Sequence, residues 1–395
     1  MFSLYRLRSL GMRHLEIGQN SMEMCSRFGS KPFIIISSYS KLKDTFIRDG
    51  ETYMNKVQLN FQEFIRDGNY GVAETNGEVW STHRRFALTT LRDFGLGKDL
   101  MQEKILIEVE DIFQKFHKNI DREQEINPVL NNAVANMINQ LIFGYRFEKE
   151  NLGELKKLSE LMEYQEKFFT RFRTNFQIFK EQKKREANGD REMFSTKQLS
   201  NMCLDLWFGG LSTTNITLTW TISYVLHNTE VQKKLHEELD RVIGSERLVT
   251  TSDKNVINES QRCVNLVPVN LFHCSSRDTV LNGYSIEKGT GVIAQISTVM
   301  LDEKIFPEPY TFNPNRFIDE NGKLKKIEEL IPFSVGKRQC IGEGLARMEL
   351  FLIISNLFNR YQVSPSSAGL PSLEKSNDIG VVPRKIRAKL SRRYS

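Results

Sequence analysis

Between Asn76 and Asn228 apolar residues recur at helical spacing almost without a break, and no other feature of this chain constrains its fold as tightly. The stretch "NGEVWSTHRRFALTTLRDF" (76–94) reads as a helix with Asn76 as its cap. "EKILIEVEDIFQKFHKNI", "VLNNAVANMINQLIF" and "STKQLSNMCLDLWFGGLSTTNITLTWTISYVLHN" continue the pattern, and "EVQKKLHEELDRVIG" (230–244) is an amphipathic helix stopped at a glycine. Strand-like segments lie on either side of this block. "KPFIIISSY" (31–39) is short, apolar and β-branched, and "RDTVLNGYSIEKGTGVIAQIST" (277–298) is built around Asn282-Gly283, a strong hairpin-turn signal. A proline-punctuated stretch, "IFPEPYTFNPNRF" (305–317), leads to "PFSVGKRQCIGEGLARMEL" (332–350) and a helix from Ile341 to about Tyr361. No internal repeat or linker divides the chain. The expected fold is mainly α with a smaller β-rich region, as one domain over 1–395, with its β parts at about 31–40 and 277–298.

Composition narrows the function classes. With 39% hydrophobic and 26% charged residues the chain is an ordinary globular protein. Its net charge of +6 is scattered, which suggests a basic patch for an acidic protein or for membrane headgroups, and no nucleic-acid footprint. The charged runs 180–192 and 384–395 read as solvated surface. Five cysteines, odd in number and without CxxC spacing, argue against a disulfide framework or a zinc site and imply a reducing compartment. The first twenty residues carry too many charges for a signal peptide or spanning helix, so no segment is expected to cross a bilayer.

Cys340 poses the central question, because it stands between a basic glycine turn and a helix start. Unsatisfied N–H groups and the positive dipole end favour a thiolate there, and Lys337 and Arg338 add charge. Gly336 permits a sharp turn. Gly342 and Gly344 each cost about 1 kcal/mol of helix propensity relative to Ala, a loss that fits a planar partner lying against the backbone. A nucleophilic cysteine would need a positioned His, a metal cluster needs several thiolates, and an axial thiolate to haem iron needs only this one. A buried free cysteine is the plain alternative.

The string Phe333, Gly336, Arg338, Cys340, Gly342, Leu345, Ala346 and Glu349 resembles the haem-binding signature F-x-x-G-x-R-x-C-x-G-x-x-x-A of the cytochrome P450 superfamily, the haem-thiolate monooxygenases. Three further stretches resemble the family in the same order. In "ESQR", Glu259 and Arg262 lie one helical turn apart; the resemblance implies that they join Arg316 of "PNRF" in a buried ion-pair network behind the haem-binding loop, 332–342. In "WSTHR", Trp80 and Arg84 share a helix face that can offer an indole N–H and a guanidinium to a carboxylate. By resemblance these two, with Arg338 and His273, bind the haem propionates. In "FGGLSTT", Gly209 and Gly210 sit inside the most apolar helix, which makes sense either as close helix packing or as a helix locally opened beside a ligand. The similarity to the family's A/G-G-x-acid-T-T motif implies an oxygen-activation groove with Thr213 as relay alcohol and Ser212 where the family has its acid.

The resemblance implies haem b as cofactor, with Cys340 as axial ligand and Phe333, Gly210 and Gly342 beside it. It also implies O2, electrons from NADPH through a flavoprotein reductase docking near Lys337 and Arg347, cytochrome b5 as a further partner, and a lipophilic substrate (a xenobiotic, fatty acid or steroid-like molecule). By analogy substrate contacts fall in the loop before Trp80, at Phe208, at Val267 to Leu271 and near Gly380 to Val382. The setting it implies is the cytoplasmic face of the endoplasmic reticulum, with peripheral membrane contact. The chain departs from the pattern at Ser212, and is shorter than the family at its N-terminal anchor, between Trp80 and Thr213, and before "NVINESQR". Those gaps motivate a second expectation, an impaired relative that binds haem passively or is vestigial.

Overall fold

The computed structural model describes residues 13–15, 22–28, 31–58, 66, 68–93, 99–148, 153–154, 194–244, 248–249, 255–375 and 385–394. Among these, seven helices of ten residues or more carry the architecture: α1 (Gly77–Asp93), α2 (Asp99–His117), α3 (Asn127–Ile142), α4 (Thr196–His227), α5 (Thr229–Val242), α6 (Asn255–Val264) and α7 (Glu343–Arg360). The chain is mainly α with a smaller β part, in agreement with the sequence reading. The run 180–192 lies outside the described residues.

Two helices are buried nearly all round, and they form the centre. In α4 every residue from Thr217 to Leu226 is buried, as is every residue of α7 from Glu349 to Asn359. A helix with no polar face must be enclosed by other elements. Accordingly α4 packs against α3, α6 and α7, while α7 also meets α2 and α5. Polar residues in α4 satisfy themselves: the hydroxyls of Thr217, Thr219, Thr221 and Ser223 each donate to the carbonyl four residues back. Helix α5 stops at Gly244, whose φ of +68° suits the left-handed cap and whose N–H donates to Leu239 O at 3.0 Å.

The main sheet has six strands: β1 (Arg13–Leu15), β2 (Met22–Phe28), β3 (Lys31–Ile36), β4 (Asn55–Lys56), β5 (His273–Cys274) and β6 (Gly291–Ala294), in the order β1-β2-β3-β6-β5-β4. The parallel pair β3–β6 sets Phe33 to Ile36 opposite Gly291 to Ala294. The 31–40 expectation narrows here, since the strand ends at Ile36 and a helical turn begins at Tyr39. Between β5 and β6, Thr279–Leu281 and Tyr284–Ile286 form a hairpin with Asn282 and Gly283 at φ 50° and 81°. Positive φ at both turn residues is what a two-residue hairpin of this kind demands.

Two sequence readings need correction. The basic run 384–395 is not simply solvated surface: Arg387–Arg392 is a strand paired with Tyr361–Pro365 and Glu123–Glu125. Ile386, Ala388 and Leu390 are fully buried, so the basic residues occupy the outward alternation of a period-2 pattern. Asn76 does not spend its side chain capping α1. Its Oδ1 accepts from Lys56 N at 2.6 Å and its Nδ2 donates to Lys56 O at 2.9 Å, which pins β4 to the start of α1.

Candidate functional site

The loop 332–342 owes its shape to two left-handed residues. Ser334 has φ 62° and Gly336 φ 82°, and a Cβ on Gly336 would collide with the carbonyl of Phe46. Gln339 N donates to Gly336 O, and Cys340 N donates to Phe333 O at 3.1 Å, closing the loop just before Gly342 caps α7. Cys340 therefore presents its sulfur to a cavity of about 360 Å³ walled by α1, α4, α6, the start of α7 and the segment 264–273. The sulfur is open to the cavity and packed by protein on its other sides. That packing, and the Glu343 carboxylate, push the thiol's pKa up; the backbone N–H groups of Gly342 and Glu343 and the Arg84 guanidinium pull it back. Nothing stands within 4 Å of where a Cβ on Gly342 or Gly344 would project.

A cationic corner lies on the same wall. Arg338 donates to Met54 O at 2.8 Å, Thr75 O at 2.5 Å and Asn76 Oδ1 at 3.1 Å, and its guanidinium lies 3.9 Å from the centre of the Trp80 ring. Arg338 Nη1 and Trp80 Nε1 are buried donors with no hydrogen-bond partner among the described residues. Arg84 donates to Gln339 O at 2.6 Å. Burial and the neighbouring Arg84 push the Arg338 pKa down to about 9, and burial also lowers that of Arg84. Neither arginine has a carboxylate at ion-pair distance among the described residues. Two orphan donors and two unneutralised guanidinium groups facing one cavity match a ligand bearing carboxylates.

His273 is buried and lines the cavity, but both ring nitrogens are engaged: Nδ1 with Tyr53 O at 2.6 Å and Nε2 with Lys56 Nζ at 2.7 Å. Lys56 also donates to Leu271 O at 2.8 Å. Burial is the main reason that both groups have pKa values well below their ordinary ranges; Arg338 lowers both further, and Lys56 also lowers that of His273. Sequence reasoning missed Lys56, a 5% exposed lysine on the cavity wall. No sequence signal marked it; in the fold the Asn76 amide holds Lys56 by its backbone.

Across the cavity, α4 contributes Gly209, Gly210, Thr213 and Thr214; Ser212 is not among the lining residues. The helix is not opened at the glycine pair. It runs unbroken from Thr196 to His227, and Thr213 Oγ1 donates to Gly209 O at 2.5 Å. A Cβ on Gly210 would strike Ile138 of α3, so this glycine serves close helix packing, while Gly209 faces open space. Behind the wall, Glu259 and Arg262 are fully buried and bonded at 2.7 and 2.8 Å, and Arg316 Nε reaches Glu259 Oε1 at 3.0 Å. Arg262 also donates to Met300 O and Pro309 O, and Arg316 to Pro307 O. The three side chains thus tie α6 to the 300–316 segment that precedes the cysteine loop.

Of the other anticipated residues, Phe208 is 53% exposed and is not among the lining residues, while Val267 and Leu271 line the cavity with 39% and 55% exposure. Phe333 also lines it, with Arg347 stacked 4.9 Å above its ring. Lys337 pairs with Glu51 at 2.8 Å and Arg347 with Glu343 at 2.8 Å. Gly380 to Val382 lie outside the described residues, as does much of the loop before Trp80. Among the described residues no helix is long and apolar enough to cross a membrane.

Comparison with known proteins adds an independent line. The family model "Cytochrome P450" matches residues 21–182 and 163–390. Cytochrome P450 2H1 of Gallus gallus is 30% identical over 423 aligned residues, covering 90% of this chain and 85% of the relative. Cytochrome P450 2H2 of the same organism is 31% identical, covering 85% and 79%. Cytochrome P450 18a1 of Drosophila melanogaster is 28% identical, covering 96% and 83%.

Proposed function

The chain belongs to the cytochrome P450 family of haem monooxygenases, and from that premise we propose that it inserts one oxygen atom from O2 into a lipophilic small molecule, with the Cys340 sulfur as the thiolate that would hold the haem iron. The observation that carries this reading is the convergence on one cavity of the Cys340 sulfur, the Arg84 and Arg338 guanidinium groups and the unpartnered Trp80 indole N–H. These donors fit haem: thiolate for the metal, cations and N–H for its two carboxylates. Haem held there would supply the activation of O2, tuned by the thiolate.

The chain's own residues hold, orient and exclude. The N–H groups of Gly342 and Glu343 stabilise charge on Cys340, and Trp80, Arg84 and Arg338 fix the carboxylate edge. For His273 to join them, Lys56 must yield its hydrogen bond, so we assign that share of the edge to Lys56 and His273 together. Thr213 turns its hydroxyl from Gly209 O to hold water for proton delivery. Ser212 can pass a hydrogen bond but cannot hold a carboxylate's charge. Glu259, Arg262 and Arg316 keep the cysteine loop in register. We assign electron supply to NADPH through a flavoprotein reductase docking near Lys337 and Arg347, with cytochrome b5 as an accessory donor, at the cytoplasmic face of the endoplasmic reticulum.

The second reading is a passive haem-binding relative. Leu271, an apolar lining residue more than half exposed, favours it, because water entering the site diverts reduced oxygen to by-products. Incubation of the haem-loaded chain with reductase, NADPH, isotopically labelled O2 and a panel of lipophilic substrates separates the two. A product carrying one labelled oxygen atom is the expected result. Haem uptake with neither labelled product nor NADPH consumption above background establishes the passive relative instead.

A further inference from the structure

One buried donor on the cavity wall has no task in the account above. Asn270 lies in the 264–273 segment, lines the cavity and is only 5% exposed. Its backbone N–H donates to Ala294 O at 3.0 Å, and its side-chain Oδ1 accepts from Ala294 N at 2.9 Å. Only the oxygen end of an amide can accept from an N–H, so this second bond settles which way the side chain faces. Nδ2 is then the free end, buried with no hydrogen-bond partner among the described residues. The two bonds to Ala294, with a third from Ser297 N to Pro268 O at 2.9 Å, bolt the segment to the end of β6 and hold the amide in place.

The other unpartnered N–H donors on this wall, Trp80 Nε1 and Arg338 Nη1, belong to the carboxylate edge. Around Asn270 the same segment shows the cavity Val264, Leu266, Val267 and Leu271, all apolar. A buried N–H without an acceptor is destabilising, and an apolar wall supplies none. The acceptor has to come from what the cavity holds. We infer that Asn270 is a specificity-determining residue whose Nδ2 selects lipophilic substrates carrying a neutral carbonyl oxygen (a ketone, ester or lactone) over hydrocarbons of the same shape. This rests on the monooxygenase reading and names the substrate class within it. A neutral oxygen satisfies the amide without bringing charge into the apolar wall, and one anchored atom fixes how the rest of the molecule is presented. A hydrocarbon in the same place would leave the donor stranded, so the site rejects it as well as favouring the carbonyl.

Cyclooctanone and cyclooctane, alike except for the carbonyl oxygen, are the probes, titrated by calorimetry into the haem-supplied chain. With each affinity referred to the probe's transfer from hexadecane, the ketone should bind the wild type about tenfold more tightly. That preference should vanish in Asn270→Leu, and because the two probes are compared within one variant, a general loss of stability cancels. A second measurement needs no variant: the infrared C=O band of isotopically labelled ketone bound to the wild type should lie at lower frequency than in hexadecane. Equal binding of the two probes by the wild type, as when a buried water serves the amide, overturns the inference, and so does a C=O band at the hexadecane position. Neither readout requires turnover. A ketone preference with no labelled product defeats the monooxygenase reading and leaves this inference standing, whereas labelled product without the preference does the reverse.

Discussion

Gly336 shows how one residue fixes the loop that carries the sulfur. Its φ of +82° is unfavourable to any side chain, and a methyl group there would meet the Phe46 carbonyl. Gly336→Ala should therefore lower stability by about 1–3 kcal/mol in chemical unfolding, and should weaken haem uptake beyond what a distant substitution of equal cost does. At the cationic corner, Trp80→Phe keeps the ring under Arg338 but removes an orphan N–H; haem dissociation should quicken about tenfold. Glu349 sets a pH dependence of the haem-free chain. Burial raises its folded pKa to about 8, above the ordinary 4.5, so the folded state keeps a proton that the unfolded chain has released. That stabilisation is complete below the ordinary value and drains as pH rises through about 8, so the urea midpoint should fall across this window, and less in Glu349→Gln.

Elements hold the site from behind. The buried Glu259–Arg262–Arg316 network joins α6 to the segment before the cysteine loop, and each charge is answered at 3.0 Å or less. Removing one partner strands the others, so Glu259→Ala should cost about 3–5 kcal/mol, measured by unfolding midpoint. The pair Glu259 and Arg262 was legible in the sequence as a one-turn spacing, but its burial was not, since solvated helices carry the same spacing. The central helices were legible by length and apolarity. What periodicity could not decide was whether Gly209-Gly210 opens the helix or packs it closely; the helix runs through unbroken, and Gly210 answers to Ile138 on another helix. The strand Arg387–Arg392 was hidden for a related reason: its basic outward residues masked the buried alternation of Ile386, Ala388 and Leu390.

At the scale of the molecule, residues far apart in sequence meet at one cavity, and those named beforehand came from motifs or from family analogy. Cys340, Arg338 and Phe333 come from one loop, Trp80 and Arg84 from α1, Thr213 from α4. Lys56 escaped because a lysine in a polar stretch carries no periodic signal; its burial arises when β4 pairs with β5 and Asn76 clamps its backbone. Glu349 was visible as a letter in the loop motif but not as a buried acid, since α7 is enclosed on all sides. The central claim is that this assembly holds haem by the sulfur of Cys340. The most direct measurement is the absorbance of the haem-supplied chain, reduced and exposed to carbon monoxide. A thiolate-type Soret band in the wild type that is absent in Cys340→Ala is the predicted result; a band unchanged by that substitution, or no haem taken up at all, would contradict it.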